Sequence, residues 1–168
     1  MAIVNTSAVS DDAKNLADML QGVLDRVITA YDSFNMPLPS RRYYTFGAPA
    51  VECEQIVVSF IQMYLGVPGD EATTPRRCHD PRSATLNISV SRAVPTTQQN
   101  GQAPLADDIQ EANRVAALDA WVLMESVNLL DTWGDDGFPG LGVIATVDGS
   151  QPEGGFTTTS MTITMAIP

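Results

Sequence analysis

Lysine, histidine and cysteine are nearly missing from this chain, and so is any long apolar run. Its 168 residues hold one lysine, Lys14, one histidine, His79, and two cysteines, Cys53 and Cys78. Two cysteines make neither a disulfide framework nor a CxxC redox motif. Their spacing leaves two free thiols and a single bridge both open. No stretch approaches the ~20 apolar residues that cross a bilayer. The opening MAIVNTSAVSDD lacks a basic segment followed by an apolar one. No signal peptide is expected from it, and the chain is expected to stay in the cytoplasm or in whatever assembles there. Gly-rich phosphate-binding signatures are missing too.

What the chain does have is acid. Asp and Glu number 20 against nine Lys and Arg, for a net charge of −11 and a pI near 4.2. Such a chain does not grip nucleic acid through a broad basic face. The surplus is open to two readings: it guides nucleic acid by repulsion, or it only keeps the protein soluble. The cations are almost all arginine, with pairs at Arg41-Arg42 and Arg76-Arg77. Arginine suits planar, bidentate contacts to carboxylates, so an acidic chain with paired arginines in its loops can bind copies of itself. The codons of a G+C-rich genome give the same bias. Hydrophobic residues make up 44% of the chain, enough at this length for one domain with its own core.

Along the chain, residues 1–9 are small and polar and are expected to form a flexible arm. Ser10-Asp11-Asp12 reads as a helix cap with acids in the first turn. Leu16, Leu20, Val23, Val27, Tyr31 and Phe34 then recur on one face, which predicts an amphipathic helix of about 22 residues. Met36-Pro37-Leu38-Pro39 ends it. Tyr43–Phe46 and the β-branched, aromatic Gln55–Val67 read as strands joined by a bend at Gly47-Ala48-Pro49. A polar loop over 69–83 leads to Ser83–Val94, where Ala84, Leu86, Ile88 and Val90 alternate with Thr85, Asn87, Ser89 and Ser91. That pattern marks a strand with one wet or partner-covered face.

A second polar loop, 95–103, precedes a helix opened by Pro104 at its first position. The apolar stripe of this helix runs from Ile109 to Leu130 and is too broad for one sheet face, so it is expected to meet the sheet and a second surface, helix 1 or a neighbouring subunit. Leu141–Val147 and Phe156–Ile167 complete the order α, β, β, β, α, β, β. The expected fold is α+β: about five strands in a largely antiparallel or mixed sheet, packed with two main helices in a single domain over 1–168.

Chemistry-bearing motifs are sparse. Cys78-His79-Asp80 resembles metal chemistry, but adjacent residues rarely converge on one ion and no second cluster supplies further ligands. A Cys78 nucleophile with His79 as its base lacks an orienting group. Asp135-Asp136-Gly137 lacks the repeated acids and closing glutamate of a calcium loop and reads as a turn. Glu52 and Glu54 can pair as acid and base, although an exposed turn explains them more simply. The patterns argue against an enzyme, a cofactor or a bound metal.

One resemblance joins these segments. The proline-rich end of helix 1 leads into Arg41-Arg42-Tyr43-Tyr44-Thr45-Phe46-Gly47-Ala48-Pro49-Ala50, followed by Cys53-Glu54-Gln55-Ile56-Val57-Val58 and Gly66-Val67-Pro68-Gly69. Next come the Cys78 loop, Ser91-Arg92-Ala93-Val94-Pro95, and a Pro104-opened helix reaching Asp119-Ala120-Trp121. Over residues 37–130 this order resembles the tail terminator proteins of long, flexible-tailed bacteriophages that infect actinobacteria. It does so through several weak motifs without a single diagnostic signature.

The resemblance implies a virion protein without an active site or cofactor, assembled in the host cytoplasm and placed at the junction of tail and neck. It implies a homohexameric ring that caps the major tail tube protein, stops its polymerisation and joins the neck (stopper) connector. Phage DNA passes through the lumen without specific binding, and no membrane is involved. A ring of this kind needs heterologous interfaces, for which the candidate residues are Arg41, Arg42, Arg76, Arg77, Arg82, Trp121 and Trp133. Two alternatives stand beside it: another neck component, such as a head-completion or stopper protein, and a small α+β ligand-binding protein or enzyme with its site in the 69–83 loop.

Overall fold

A computed structural model describes residues 6–69, 82–97, 101–131, 143–150 and 152–167. The elements are α1 (Thr6–Ser33), β1 (Arg41–Phe46), β2 (Gln55–Leu65), β3 (Arg82–Ala93), α2 (Ala106–Asp131), β4 (Val143–Gly149) and β5 (Phe156–Ile167). The expected order and α+β class hold, with a five-stranded sheet in the order β1-β2-β3-β5-β4. Every neighbour pair is antiparallel except β1 and β2, which run parallel.

That parallel pair corrects the simple bend expected between the first two strands. Parallel neighbours need a chain that returns to the starting end, and residues 47–54 make the return. The Gln55 side-chain amide donates to the Ala50 carbonyl at 2.8 Å, which sets this return over the face of the sheet that Gln55 shares with Arg41, Tyr43 and Val57. Val57 is fully buried there although it lies outside the main core cluster.

Both helices pack on the other face. Their apolar stripes meet Ile56 and Val58 of β2, Ala84, Leu86, Ile88 and Val90 of β3, and Met161, Ile163 and Met165 of β5. Helix α1 lies over β1 and β2, and α2 lies chiefly over β5 and β4. The period-2 pattern of β3 and β5 therefore sends Ala84, Leu86, Ile88, Val90, Met161, Ile163 and Met165 under the helices, with only Ala93, Phe156 and Ala166 of their apolar residues in the opposite phase. Opposite them a ladder of hydroxyls and an amide is closed internally. Ser91 and Thr158 share a hydrogen bond at 3.0 Å, Thr85 and Thr164 one at 3.1 Å. The Asn87 amide donates to Thr162 at 3.4 Å.

Several boundaries differ from expectation: β1 begins two residues earlier, at Arg41, and β2 ends two residues earlier, at Leu65, while β3 is shifted one residue back, to Arg82–Ala93. Helix α1 begins at Thr6, so residues 6–9 belong to it and are not part of an arm; Ser7 and Ser10 are tolerated within a run that includes Ala8 and Ala13. Past its end at Ser33 comes Asn35, a non-glycine residue at φ 51°. The Met36 N–H donates to the Tyr31 carbonyl and the Asn35 N–H to that of Asp32, a Schellman closure that precedes the prolines. At α2, the Ile109 N–H bonds the Leu105 carbonyl, so Leu105 is the cap and Pro104 stands just outside. Strand β4 continues to Gly149, two residues past its expected end.

Candidate interaction surface

The charged group held most tightly is internal. Arg92, at the end of β3, forks onto Asp119 of α2, with Nε to Oδ2 at 3.0 Å and Nη2 to Oδ1 at 2.9 Å. The Tyr31 hydroxyl of α1 donates to Asp119 Oδ1 at 2.8 Å, and Arg92 Nη2 also donates to the Pro37 carbonyl at 2.8 Å. Asp119 is 0% exposed. Burial and the neighbouring Asp119 carboxylate push the Tyr31 phenol far above its usual range, against a smaller opposing pull from Arg92. Burial acts to lower the Arg92 guanidinium, but the bonds to Asp119 outweigh it and hold the group above its ordinary value. This cluster ties both helices to the sheet. Its donors and acceptors face one another, so it is a brace and leaves little to bind anything else.

The sequence carried a signal for it that went unread. Arg92 continues the inward phase of Leu86, Ile88 and Val90, and Asp119 sits on the buried stripe of α2 with Val122 and Leu123. A charge in an apolar phase needs a partner, and here each is the other's.

The expected interface residues fall into separate places. Arg41 and Arg42 lie at the start of β1, the outermost strand on one side of the sheet, and both are exposed. The Arg41 guanidinium rests 4.9 Å from the Tyr43 ring centre. Its pKa is held above the usual value by Cys53 first, then by Tyr43 and Glu52. Cys53 itself is a free, half-buried thiol. Arg82 starts β3 at the other end of the sheet, where it pairs with Leu65 and Ile167. Nine residues of strand separate it from Ser91, which is level with Arg41, a distance of about 30 Å. Trp121 is 59% exposed on the outward side of α2, next to exposed Met124. Arg76, Arg77 and Trp133 lie outside the described residues, as do Cys78, His79 and Asp135-Asp136-Gly137.

Apolar surface that the core does not use includes three regions, besides Leu105 and Ile109 at the start of α2. On β1, Tyr44 and Phe46 are exposed, Phe46 at 60%, with its ring 5.4 Å from that of Phe60. On β2, Ile61, Met63 and Leu65 are exposed because β1 pairs only as far as Phe60 and a bulge displaces Ile61. The third region is Trp121 and Met124. Single exposed apolar residues are ordinary, but neighbouring ones on an open strand edge and on a helix back are candidate contact surface.

Among the described residues no group of three or more His, Cys, Asp or Glu is placed to hold a metal, and no helix is long and apolar enough to cross a membrane. No protein-family model matches the chain, and no characterised protein is similar enough to it to argue from.

Proposed function

We propose that this protein is a structural virion subunit, a tail terminator that forms a hexameric ring on the end of the tail tube and joins it to the neck. It works by contact, without turnover. The observation that carries the reading is the separation of its unused apolar surfaces. The edge of β1 runs on into the far half of β2, where Phe46 packs beside Phe60, and the back of α2, which lies chiefly over β4 and β5, is a separate and unlike patch. A two-fold dimer needs one self-complementary patch, whereas a closed ring needs two unlike patches that meet.

The charge supports the same role. Asp18, Asp25 and Asp32 line the outer face of α1, and Asp107, Asp108, Asp148 and Glu153 are exposed elsewhere. Such a surface repels a passing polyanion instead of holding it. The resemblance over residues 37–130 supplies the identity of the assembly, and the fold is compatible with it.

Native mass spectrometry over a concentration series, with and without tail tubes, tests the ring. The expected result is a sixfold multiple of the 18.0 kDa subunit. Phage lacking the protein should make overlong tails. Tails of normal length on heads that leak DNA would assign it to a stopper position in the neck instead.

A further inference from the structure

The two outer strands of the sheet fit each other. Antiparallel pairing gives hydrogen-bonded residues whose N–H and C=O both point across to the neighbour, alternating with residues that point away. In β1 the Gly47 N–H reaches inward to Phe60 of β2. By alternation Tyr43 and Thr45 also point inward, and Arg42, Tyr44 and Phe46 point out. In β4 the Ser150 N–H reaches inward to Thr158 of β5, so Ala145, Val147 and Gly149 point out. Among the described residues no strand pairs with either outer edge.

Heights across the sheet follow from the register. Tyr44 is level with Val58, Ile88, Met161 and Val147. By the same count Phe46 is level with Ala145, and Arg42 with Gly149. Strand β1 runs parallel to β2 and β5, and β4 runs against them. Two copies related by rotation about an axis along the strands would therefore bring β1 and β4 together antiparallel, with no change of height.

We propose that β1 of one copy pairs with β4 of the next in this way, joining the sheets of neighbouring subunits. The proposal rests on the ring reading above and names the contact that closes it. Outward backbone groups meet at Arg42 and Gly149, Tyr44 and Val147, and Phe46 and Ala145. On the helix-covered face the exposed Tyr44 and Phe46 rings then cover the half-buried Val147 and Ala145 of the partner. On the opposite face Thr45 stands against the partner's Thr146. Arg41 lies diagonal to the partner's Asp148, within reach of a long side chain.

The charges favour a second copy over any neutral strand as the occupant. Arg41 and Arg42 stand on one edge; Asp148, with Glu153 in the turn that follows, stands on the other. Glu52 of the same chain acts on Arg41, yet Arg41 remains exposed. An edge that pairs only with the opposite edge of an identical sheet also explains why exposed aromatic strand edge is tolerated, since a closed ring leaves no edge open.

A charge-swap series tests the contact. Arg41→Asp and Asp148→Arg should each raise the concentration needed for assembly by roughly tenfold or more, and the double variant should restore it. Both sites are exposed, so far-ultraviolet circular dichroism should stay unchanged. A second arm uses Thr45→Cys with Thr146→Cys in a Cys53→Ser, Cys78→Ser background. Facing residues of a non-hydrogen-bonded pair lie about 4.5 Å apart at Cα, close enough for a disulfide. Oxidation should give a ladder of covalent multimers that neither single cysteine gives beyond dimers.

A sixfold mass without the ladder, or with single charge reversals that change nothing, would overturn the strand pairing and leave the ring intact. Absence of any oligomer, alone or on tail tubes, would overturn both.

Discussion

The helix-covered face of the sheet and its opposite face solve burial in different ways. Under the helices, Ile56, Leu86, Ile88, Met161 and Ile163 are fully enclosed and hold the fold through apolar contact. Across the sheet, Ser83, Thr85, Ser89 and Ser91 are also buried, but among hydroxyls. There the bonds run between β3 and β5, and returning chain covers part of β2. One face is cemented by the hydrophobic effect, and the other pairs several of its hydroxyls across β3 and β5 while Ser59 and Ser89 are left without a partner among the described residues. The association proposed above uses the rim instead, in β1 and β4, where Tyr44, Phe46 and Ile144 are exposed.

The largest effect should come from the polar brace at the margin of the apolar face. Asp119→Ala leaves Arg92 buried without its carboxylate and should cost about 3–5 kcal/mol, the usual penalty for removing one half of a buried pair. Urea unfolding measures it through the midpoint at unchanged slope. Replacing both partners, with Arg92→Met and Asp119→Leu, should recover much of that loss, because no charge is then stranded. A loss below ~1 kcal/mol in the single variant would mean that water reaches the site.

Next comes a direct contrast of the faces at neighbouring strand positions. Leu86→Ala should cost about 2–5 kcal/mol through lost contact and the cavity it leaves. Ser89→Ala on the other face should be neutral or stabilising by up to ~1 kcal/mol, since the buried Ser89 hydroxyl has no hydrogen-bond partner among the described residues, and removing it removes a desolvation cost. Similar losses in the two variants would erase the distinction between the faces.

The gentlest test is alkaline titration. Tyr31 is held protonated in the folded state well above its value in the unfolded chain. The folded form therefore binds the extra proton, and stability from this group is fully present below the unfolded pKa of about 10. Above that pH it should fall by about 1.4 kcal/mol per unit. Tyr31→Phe should be less stable at pH 7 yet lose less between pH 10 and 11. Parallel declines in the two proteins would remove Tyr31 from the alkaline response.

Much of the fold was legible because alternation and helical phase are local. β3 and β5 announced their two faces residue by residue, and α1 announced its stripe. The direction of β1 was not legible. Alternation says which way side chains point but not which way the neighbouring strand runs, and that depends on the return at 47–54. The cap of α2 moved one residue past Pro104 because proline is accommodated just before the cap as well as just inside the helix. Arg41 and Arg42 could be read as contact residues from their chemistry. That they stand on an edge, level with Gly149 and Ser150 of the opposite edge, appears only once all five strands are ordered. The Arg92–Asp119 pair was hidden by distance in the chain, although each residue sits in an apolar phase where a charge has no other explanation.

The proposed role at the end of the tail is tested most directly by electron cryomicroscopy of phage tails made with this protein, with the subunit located by an antibody fragment or a fused tag. The expected density is a single six-membered ring where the tube meets the neck, with an open channel along its axis. A subunit found along the tube, at the tail tip or inside the head, or in a ring of different symmetry at the neck, would contradict the assignment.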